Sequence, residues 1–116
     1  MNINDLKFKK FRTFDGNELL INLIGTGPLF SWAWGLEKPT RIITNTPNED
    51  IGVRFKVNGY IHKGLVYIFI NSKDLFDIYY TDMELNIKKS SKDVNLVELL
   101  EVLDHEIERV NSPFNN

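Results

Sequence analysis

Two apolar stretches joined by a short polar turn decide the fold of this chain. Residues 65–70 have the sequence LVYIFI, residues 75–80 have the sequence LFDIYY, and the turn between them, at 71–74, is NSKD. β-branched and aromatic residues at this density are typical of β-strands. A gap this short joins antiparallel strands, because a parallel crossover needs about a dozen residues or more. The stretch therefore predicts a β-hairpin.

Further strands are predicted on both sides of this hairpin. Residues 41–44 and 52–57 precede it with a similar composition, and residues 84–88 follow it with alternating apolar and polar side chains. The remaining gaps carry turn-forming residues, at Asn58-Gly59, Lys63-Gly64 and Thr81-Asp82. Such short connections favour an antiparallel β-meander of about four to five strands.

The leucine-rich C-terminal region predicts an amphipathic helix. Its apolar residues recur at spacings of three and four, which places them on one helix face: Leu96, Leu99, Leu100, Leu103, Ile107 and Val110. Asn95 and Glu98 match the spacing of a capping box, and Asp93 is a second candidate N-cap. Pro113 prevents a long continuation, so we expect residues 111–116 to form a frayed tail.

A shorter helix is expected nearer the N-terminus, over residues 18–24. This segment follows Asp15-Gly16 and stops at the glycine-rich turn 25–28, which supplies a C-cap and a helix-breaking proline. The same residues also fit a short buried strand. With both helices on one face of the meander, the predicted fold class is α+β, a single two-layer domain spanning residues 1–116.

Composition restricts the chemistry and the partners of this domain. The 116 residues include 14 Lys and Arg against 16 Asp and Glu, a net charge of −2, which argues against a dedicated binder of duplex DNA or anionic membranes. The chain has no cysteine, which excludes disulfides, iron–sulfur clusters and thiolate zinc sites. No apolar run approaches the roughly 20 residues that span a bilayer, and the N-terminus lacks a signal-peptide core. We therefore expect a cytoplasmic protein with no membrane partner.

The charges are divided unequally along the chain. Residues 1–63 carry nine Lys and Arg against six Asp and Glu, whereas residues 64–116 carry five against ten. On the C-terminal helix an acidic stripe lies opposite the leucines, formed by Glu98, Glu101, Asp104, His105 and Glu108. Such a stripe is usually a solvated face, and His105 with a carboxylate one turn away is also a weak divalent-metal motif. The stripe would also attract a basic protein partner.

Two aromatic segments are candidate binding surfaces. Trp32 and Trp34 share one face of an extended segment, where they either pack between helix and sheet or form a protein interface. The N-terminal segment interleaves three phenylalanines with four cations: Phe8, Phe11 and Phe14 with Lys7, Lys9, Lys10 and Arg12. That combination is typical of proteins that bind single-stranded nucleic acid, unless the phenylalanines hold the segment on the core.

No catalytic constellation is recognisable in the sequence. The turn 25–28 lacks the third glycine of a dinucleotide loop and the lysine of a P-loop. Two histidines, His62 and His105, are too few for a multi-histidine metal site. The remaining acid–base candidates are two carboxylates near two phenols, namely Asp74, Asp77, Tyr79 and Tyr80. A turn-capping Asp74 and a solvent-facing Asp77 are the simpler interpretation, so we expect no enzyme, no cofactor and no metal.

The hairpin and the C-terminal region resemble a known group of proteins. In that group a strand ends in Asn-x-x-Asp-Leu-aromatic-Asp and runs into a second strand, a pattern matched by Asn71, Asp74, Leu75, Phe76 and Asp77. Together with the leucine-rich residues 96–107, this pattern resembles small uncharacterised proteins encoded by bacteriophages and conjugative elements. The resemblance implies a bacterial cytosol and a mobile-element accessory role, and it supplies no catalytic residues.

These observations predict a small non-enzymatic module that binds another protein. The candidate protein-binding residues are those of the acidic stripe together with Trp32 and Trp34. The alternative is a protein associated with single-stranded nucleic acid, whose candidate contacts are Lys7, Lys9, Lys10 and Arg12. The sequence predicts no oligomeric state for either function.

Overall fold

An antiparallel sheet and two helices form the described part of the chain. The computed structural model describes residues 1–6, 11–26, 33–43 and 49–108. After a 3-10 turn (Ile3–Asp5), the elements are α1 (Gly16–Thr26), β1 (Glu37–Ile43), β2 (Asp50–Asn58), β3 (Lys63–Ile70), β4 (Phe76–Thr81), β5 (Ile87–Val94) and α2 (Leu99–Ile107). These elements confirm the predicted α+β class.

The sheet is a five-stranded meander in the order β1-β2-β3-β4-β5, with every neighbouring pair antiparallel. β3 is the central strand, and its Tyr67 pairs with Arg54 of β2 on one side and with Tyr79 of β4 on the other. The predicted hairpin of residues 65–70 and 75–80 is therefore the middle of the sheet. Of the four to five strands predicted, five are present in the sheet.

The fifth strand lies later in the chain than the predicted segment 84–88. The Asp82 carboxylate accepts hydrogen bonds from the backbone N–H groups of Glu84 (3.0 Å) and Asn86 (2.9 Å), so this region is a turn. β5 itself is an edge strand whose side chains are half-buried or exposed until Val94. Because few of its residues face the core, the apolar alternation that predicts a strand is weak there.

α1 confirms the helical alternative for residues 18–24, but the helix continues through Gly25 to Thr26, so the prediction of Gly25 as its C-cap is wrong. Its first turn is capped by Asp15, whose Oδ1 accepts the backbone N–H of Glu18 at 3.1 Å. A buried carboxylate on β2, Asp50, accepts the N–H of Gly16 at 2.9 Å and ties the helix start to the sheet. A side chain at position 16 would meet Asp50 and Val53 closer than 3.0 Å, so glycine is needed at this close approach.

α2 begins three residues later than the predicted leucine stripe. Residues 96–98 form a turn, in which the Asn95 side chain accepts the N–H of Glu98 at 2.9 Å. The Glu98 carboxylate accepts a hydrogen bond from the Asn95 side-chain amide at 2.8 Å. A capping box requires a bond from the Asn95 backbone N–H instead, so only half of the predicted capping box forms. Leu99, Leu103 and Ile107 are buried as predicted, whereas Leu96 is exposed. Val110 and the tail 111–116 lie outside the described residues.

Apolar side chains cover both faces of the sheet. The two helices cover one face, where Phe55, Ile68 and Tyr80 are completely buried. On the other face Ile3 and Phe11 are buried, and Phe11 stacks on Phe69 of β3 at 4.4 Å between ring centroids. The backbone N–H of Arg12 donates to the Ile70 carbonyl at 2.7 Å. The two-layer prediction is confirmed, and Ile3 and Phe11 add a cover on the second face that the prediction did not include.

The end of α2 is attached to the turn between β2 and β3. The Ile107 carbonyl accepts the N–H groups of Ile61 (2.8 Å) and His62 (3.1 Å), which satisfies a carbonyl at the end of the helix. The imidazole of His62 is buried, lies edge-on to Tyr80 at 5.5 Å, and its Nε2 is 3.1 Å from the Leu65 carbonyl. His62 is thus a core residue at a junction of three elements.

The buried position of His62 predicts that the stability of the fold depends on pH. Burial lowers its pKa from the ordinary value; the Leu65 carbonyl opposes this shift without reversing it, and the Lys89 ammonium adds to it. An unfolded chain therefore binds this proton at a higher pH than the folded protein does. Above a pH of about 6.5, protonation of His62 should not affect the free energy of unfolding. Below that value the unfolded chain binds this proton more readily, so the free energy of unfolding should decrease as the pH falls.

Replacing His62 with Gln should flatten this dependence, because the variant has no imidazole to protonate. Chemical denaturation at a series of pH values from about 7 to about 5 measures the slope. The control is Ile43→Gln, which alters an exposed residue of β1 without a titratable group and should keep the wild-type slope. Equal slopes for the wild type and His62→Gln would contradict the assignment.

Candidate protein-binding surface

The helix layer and the sheet carry opposite charges. α1 and α2 contain four acidic residues and no lysine or arginine, whereas the five strands contain eight Lys and Arg against four Asp and Glu. The acidic residues of the helices are Glu18, Glu101, Asp104 and Glu106. The unequal division of charge along the chain thus becomes a separation between the two layers of the fold.

Part of the acidic stripe is engaged in holding the fold together. Asp104 Oδ1 accepts the indole N–H of Trp34 at 3.0 Å, and Trp34 is completely buried. The Glu108 carboxylate accepts the backbone N–H of Tyr60 at 2.6 Å, at the same junction that contains His62. Of the two alternatives for Trp34, packing between helix and sheet is confirmed and a protein interface is wrong, because its ring fills the core beneath α2. Trp32 lies outside the described residues.

The rest of the stripe borders a shallow depression of about 370 Å³. Glu101 and His105 are exposed there, and Glu106 pairs with Lys89 of β5 at 3.0 Å. The lining consists of Glu98, Glu101, Val102, His105 and Glu106. Across the described ranges, no three metal-ligating side chains come together as a metal site. The depression is therefore an acidic surface that is suited to meet cationic groups.

An apolar groove of about 300 Å³ lies on the other side of α2, between this helix and α1. It is lined by Leu19, Asn22, Leu23, Leu96, Leu99 and Leu100. In the turn before α2, the lining residue Leu96 is 68% accessible and its neighbour Val97 is 93% accessible. The three-and-four spacing of the leucines predicts that Leu96 is buried. The turn-forming pair Asn95 and Glu98 is the sequence feature that indicates an exposed position instead.

The N-terminal cations and aromatics are only partly described. Arg12 is exposed, and its guanidinium pairs with the Asp74 carboxylate. Phe11 is buried against Phe69, and Phe14 packs against the helix-side core. Phe11 therefore holds the segment on the core and is not an open stacking platform. The other candidate nucleic-acid contacts, Lys7, Lys9 and Lys10, lie outside the described residues, as does Phe8.

The candidate acid–base residues do not converge on one place. Asp77 is buried, contrary to the solvent-facing prediction, and its Oδ1 accepts the Asn71 amide (2.9 Å) and the Asp93 N–H (3.1 Å). This network closes the irregular pairing between β4 and β5. Tyr79 lies on the same face as Asp77, whereas Tyr80 packs in the helix-side core. Burial raises the pKa of both phenols, so both are protonated near neutral pH.

Asp74 lies apart from these groups in the turn between β3 and β4. Its backbone has a φ of 62°, in the left-handed region, and its N–H donates to the Asn71 carbonyl at 3.1 Å. The Asn71 side chain accepts the N–H groups of Lys73 (2.9 Å) and Leu75 (3.2 Å). The pattern Asn-x-x-Asp-Leu therefore builds a turn around Asn71.

Comparison of the chain with protein-family models, with curated proteins and with solved structures finds no match. Within the described ranges, no helix is both long and apolar enough to cross a membrane. The geometry and charge of the surface are therefore the basis for assigning a function.

Two variants on α2 separate the structural from the exposed part of the acidic stripe. Asp104→Ala removes the acceptor of the buried Trp34 N–H, and we expect it to lower the free energy of unfolding by about 1–3 kcal/mol. Glu101→Ala removes an exposed carboxylate and should change that energy by no more than about 0.5 kcal/mol. Urea denaturation of both variants measures the difference. Two equally small effects would contradict a structural role for Asp104.

Proposed function

We propose that this protein is a small non-enzymatic module that binds another protein through its helix layer. The observation that carries the proposal is the apolar groove between α1 and α2, set in a layer whose helices bear acidic charges and no lysine or arginine. Groove and charge together provide the two components of a typical interface, an apolar centre and a polar rim.

The exposed residues of the turn before α2 support this assignment. Leu96 lines the groove and is strongly accessible, and Val97, the next residue of the turn, is more accessible still. Single exposed apolar residues are common in folded proteins, but a contiguous apolar patch is typical of an interaction site. Burying both side chains against a partner would add apolar contact at the centre of the interface, where binding energy concentrates.

The edges of the sheet are less suited to a partner. β1 contains Pro39 and begins with an irregular register at Lys38, whose φ is 52°. The edge strand β5 carries Lys88, Lys89 and Lys92. Proline, lysine and irregular register are the devices with which proteins discourage strand addition. We therefore place the binding function on the helix layer and not on a strand edge.

The nucleic-acid alternative has weaker support. Of its candidate residues, Arg12 is paired with Asp74, and the neighbouring Phe11 is buried on Phe69. Stacking on bases requires an accessible aromatic face, and phosphate binding is favoured by cations without a competing carboxylate. We therefore prefer a protein partner. The resemblance to proteins of bacteriophages and conjugative elements is the basis for proposing a bacterial cytosol and an accessory role.

Affinity purification from host cells with three baits tests the proposed function. The baits are the wild type, a groove variant combining Leu96→Gln with Val97→Gln, and the control Ile43→Gln, which alters a residue 70% accessible on β1. We expect a protein that is retained by the wild type and by Ile43→Gln and is lost with the groove variant. Equal recovery of the same proteins by all three baits would contradict the proposal, as would the absence of any specific protein.

A further inference from the structure

A recess of about 340 Å³ lies at one end of the sheet, where β1 and β3 begin and β2 ends. Four polar residues line it, and Met83 of the turn between β4 and β5 adds an apolar border. The polar residues are Glu37, Lys56, Asn58 and Lys63. The recess shares no lining residue with the groove or with the acidic depression, so it is separate from the proposed protein-binding surface.

The strand register brings two lysines of the recess together. Asn58 of β2 pairs with Lys63 of β3, and Lys56 lies two residues before Asn58, on the same face of the sheet. Lys56 and Lys63 are therefore diagonal neighbours on two adjacent strands, a separation that long side chains can bridge. Two ammonium groups at that separation repel each other, and an anion bound between them replaces this repulsion with two attractions.

No carboxylate of the described ranges takes the place of that anion, because neither lysine forms an ion pair there. Glu37 lies opposite Lys56 in the register of β1 and β2 without pairing with it. Two lysines against one glutamate give the recess a formal charge of +1. The surrounding strands carry eight Lys and Arg against four Asp and Glu. A concave surface concentrates the field of such charges, which favours an anionic ligand.

We propose that the recess binds a small organic anion, with a carboxylate or phosphate group between Lys56 and Lys63. The side-chain amide of Asn58 can donate to the same group, and Glu37 can accept a hydrogen bond from an amino or hydroxyl group elsewhere on the ligand. The volume of the recess lies at the lower limit of small-molecule pockets. A polyanion such as single-stranded nucleic acid requires cations along an extended groove, so a small molecule is the favoured occupant.

Two probes test the proposal on the full chain, O-phosphoserine and inorganic phosphate. O-phosphoserine offers an amino group to Glu37, whereas inorganic phosphate has none. NMR spectra of the isotope-labelled chain report which backbone amides respond, with sodium chloride at equal ionic strength as the control for screening. We expect saturable shifts at Glu37 and at residues 56–64, with O-phosphoserine binding at least about threefold more tightly. No saturable shift at these residues with O-phosphoserine up to about 10 mM would overturn the proposal.

Matched variants separate the recess from general charge attraction. Lys56→Gln with Lys63→Gln should weaken the binding of both probes by at least about tenfold. The control, Lys73→Gln with Lys92→Gln, removes the same charge from exposed residues outside the recess and should bind as the wild type does. Glu37→Gln should remove the preference for O-phosphoserine and leave inorganic phosphate bound. The spectra also show whether each variant is folded. An equal loss of binding in the two double variants would overturn the proposal, as would unchanged binding in Lys56→Gln with Lys63→Gln.

Discussion

The strand at the centre of the sheet is apolar on both faces, and the rest of the structure depends on covering it. Val66 and Ile68 of β3 face the helices, while Tyr67 and Phe69 face the opposite side, and all four are buried. Helices on one face alone would leave two aromatic rings in water. Ile3 and Phe11 supply the second cover, so Phe11 contributes to the core of the fold even though cations adjoin it in the sequence.

The position of α2 follows from this arrangement and determines what remains outside. The helix buries Leu99, Leu103 and Ile107 on the sheet, and its Asp104 holds Trp34. The last carbonyl of the helix, that of Ile107, accepts hydrogen bonds from the turn that contains His62. The orientation of α2 is therefore fixed both along its buried face and at its C-terminal end. The surfaces left to solvent are the acidic depression on the β5 side and the apolar groove on the α1 side, and we assign function to these surfaces.

Most of the fold could be predicted from local patterns, whereas the candidate site could not. Alternation and turn residues located the central hairpin and the leucine stripe because these elements bury regular apolar faces. The predicted position of β5 was wrong because this edge strand, which contains Ser90 and Ser91, buries few apolar side chains and so has a weak strand pattern. The helical spacing predicts that Leu96 is buried, but the Asn95–Glu98 turn leaves it exposed. The burial of Trp34 depends on its hydrogen bond to Asp104, a residue 70 positions away. Contacts of that range are fixed by packing and leave no local signal.

Hydrogen exchange measured by mass spectrometry, on the free protein and on its complex with the recovered partner, tests the central claim most directly. Exchange reports backbone protection segment by segment and so locates the contact surface without a variant. The account predicts slower exchange in the complex for α1 and for residues 95–107, with the strands β1 to β3 unchanged. Slower exchange confined to β1 and β2, with both helices unchanged, would contradict the assignment of the binding surface to the helix layer.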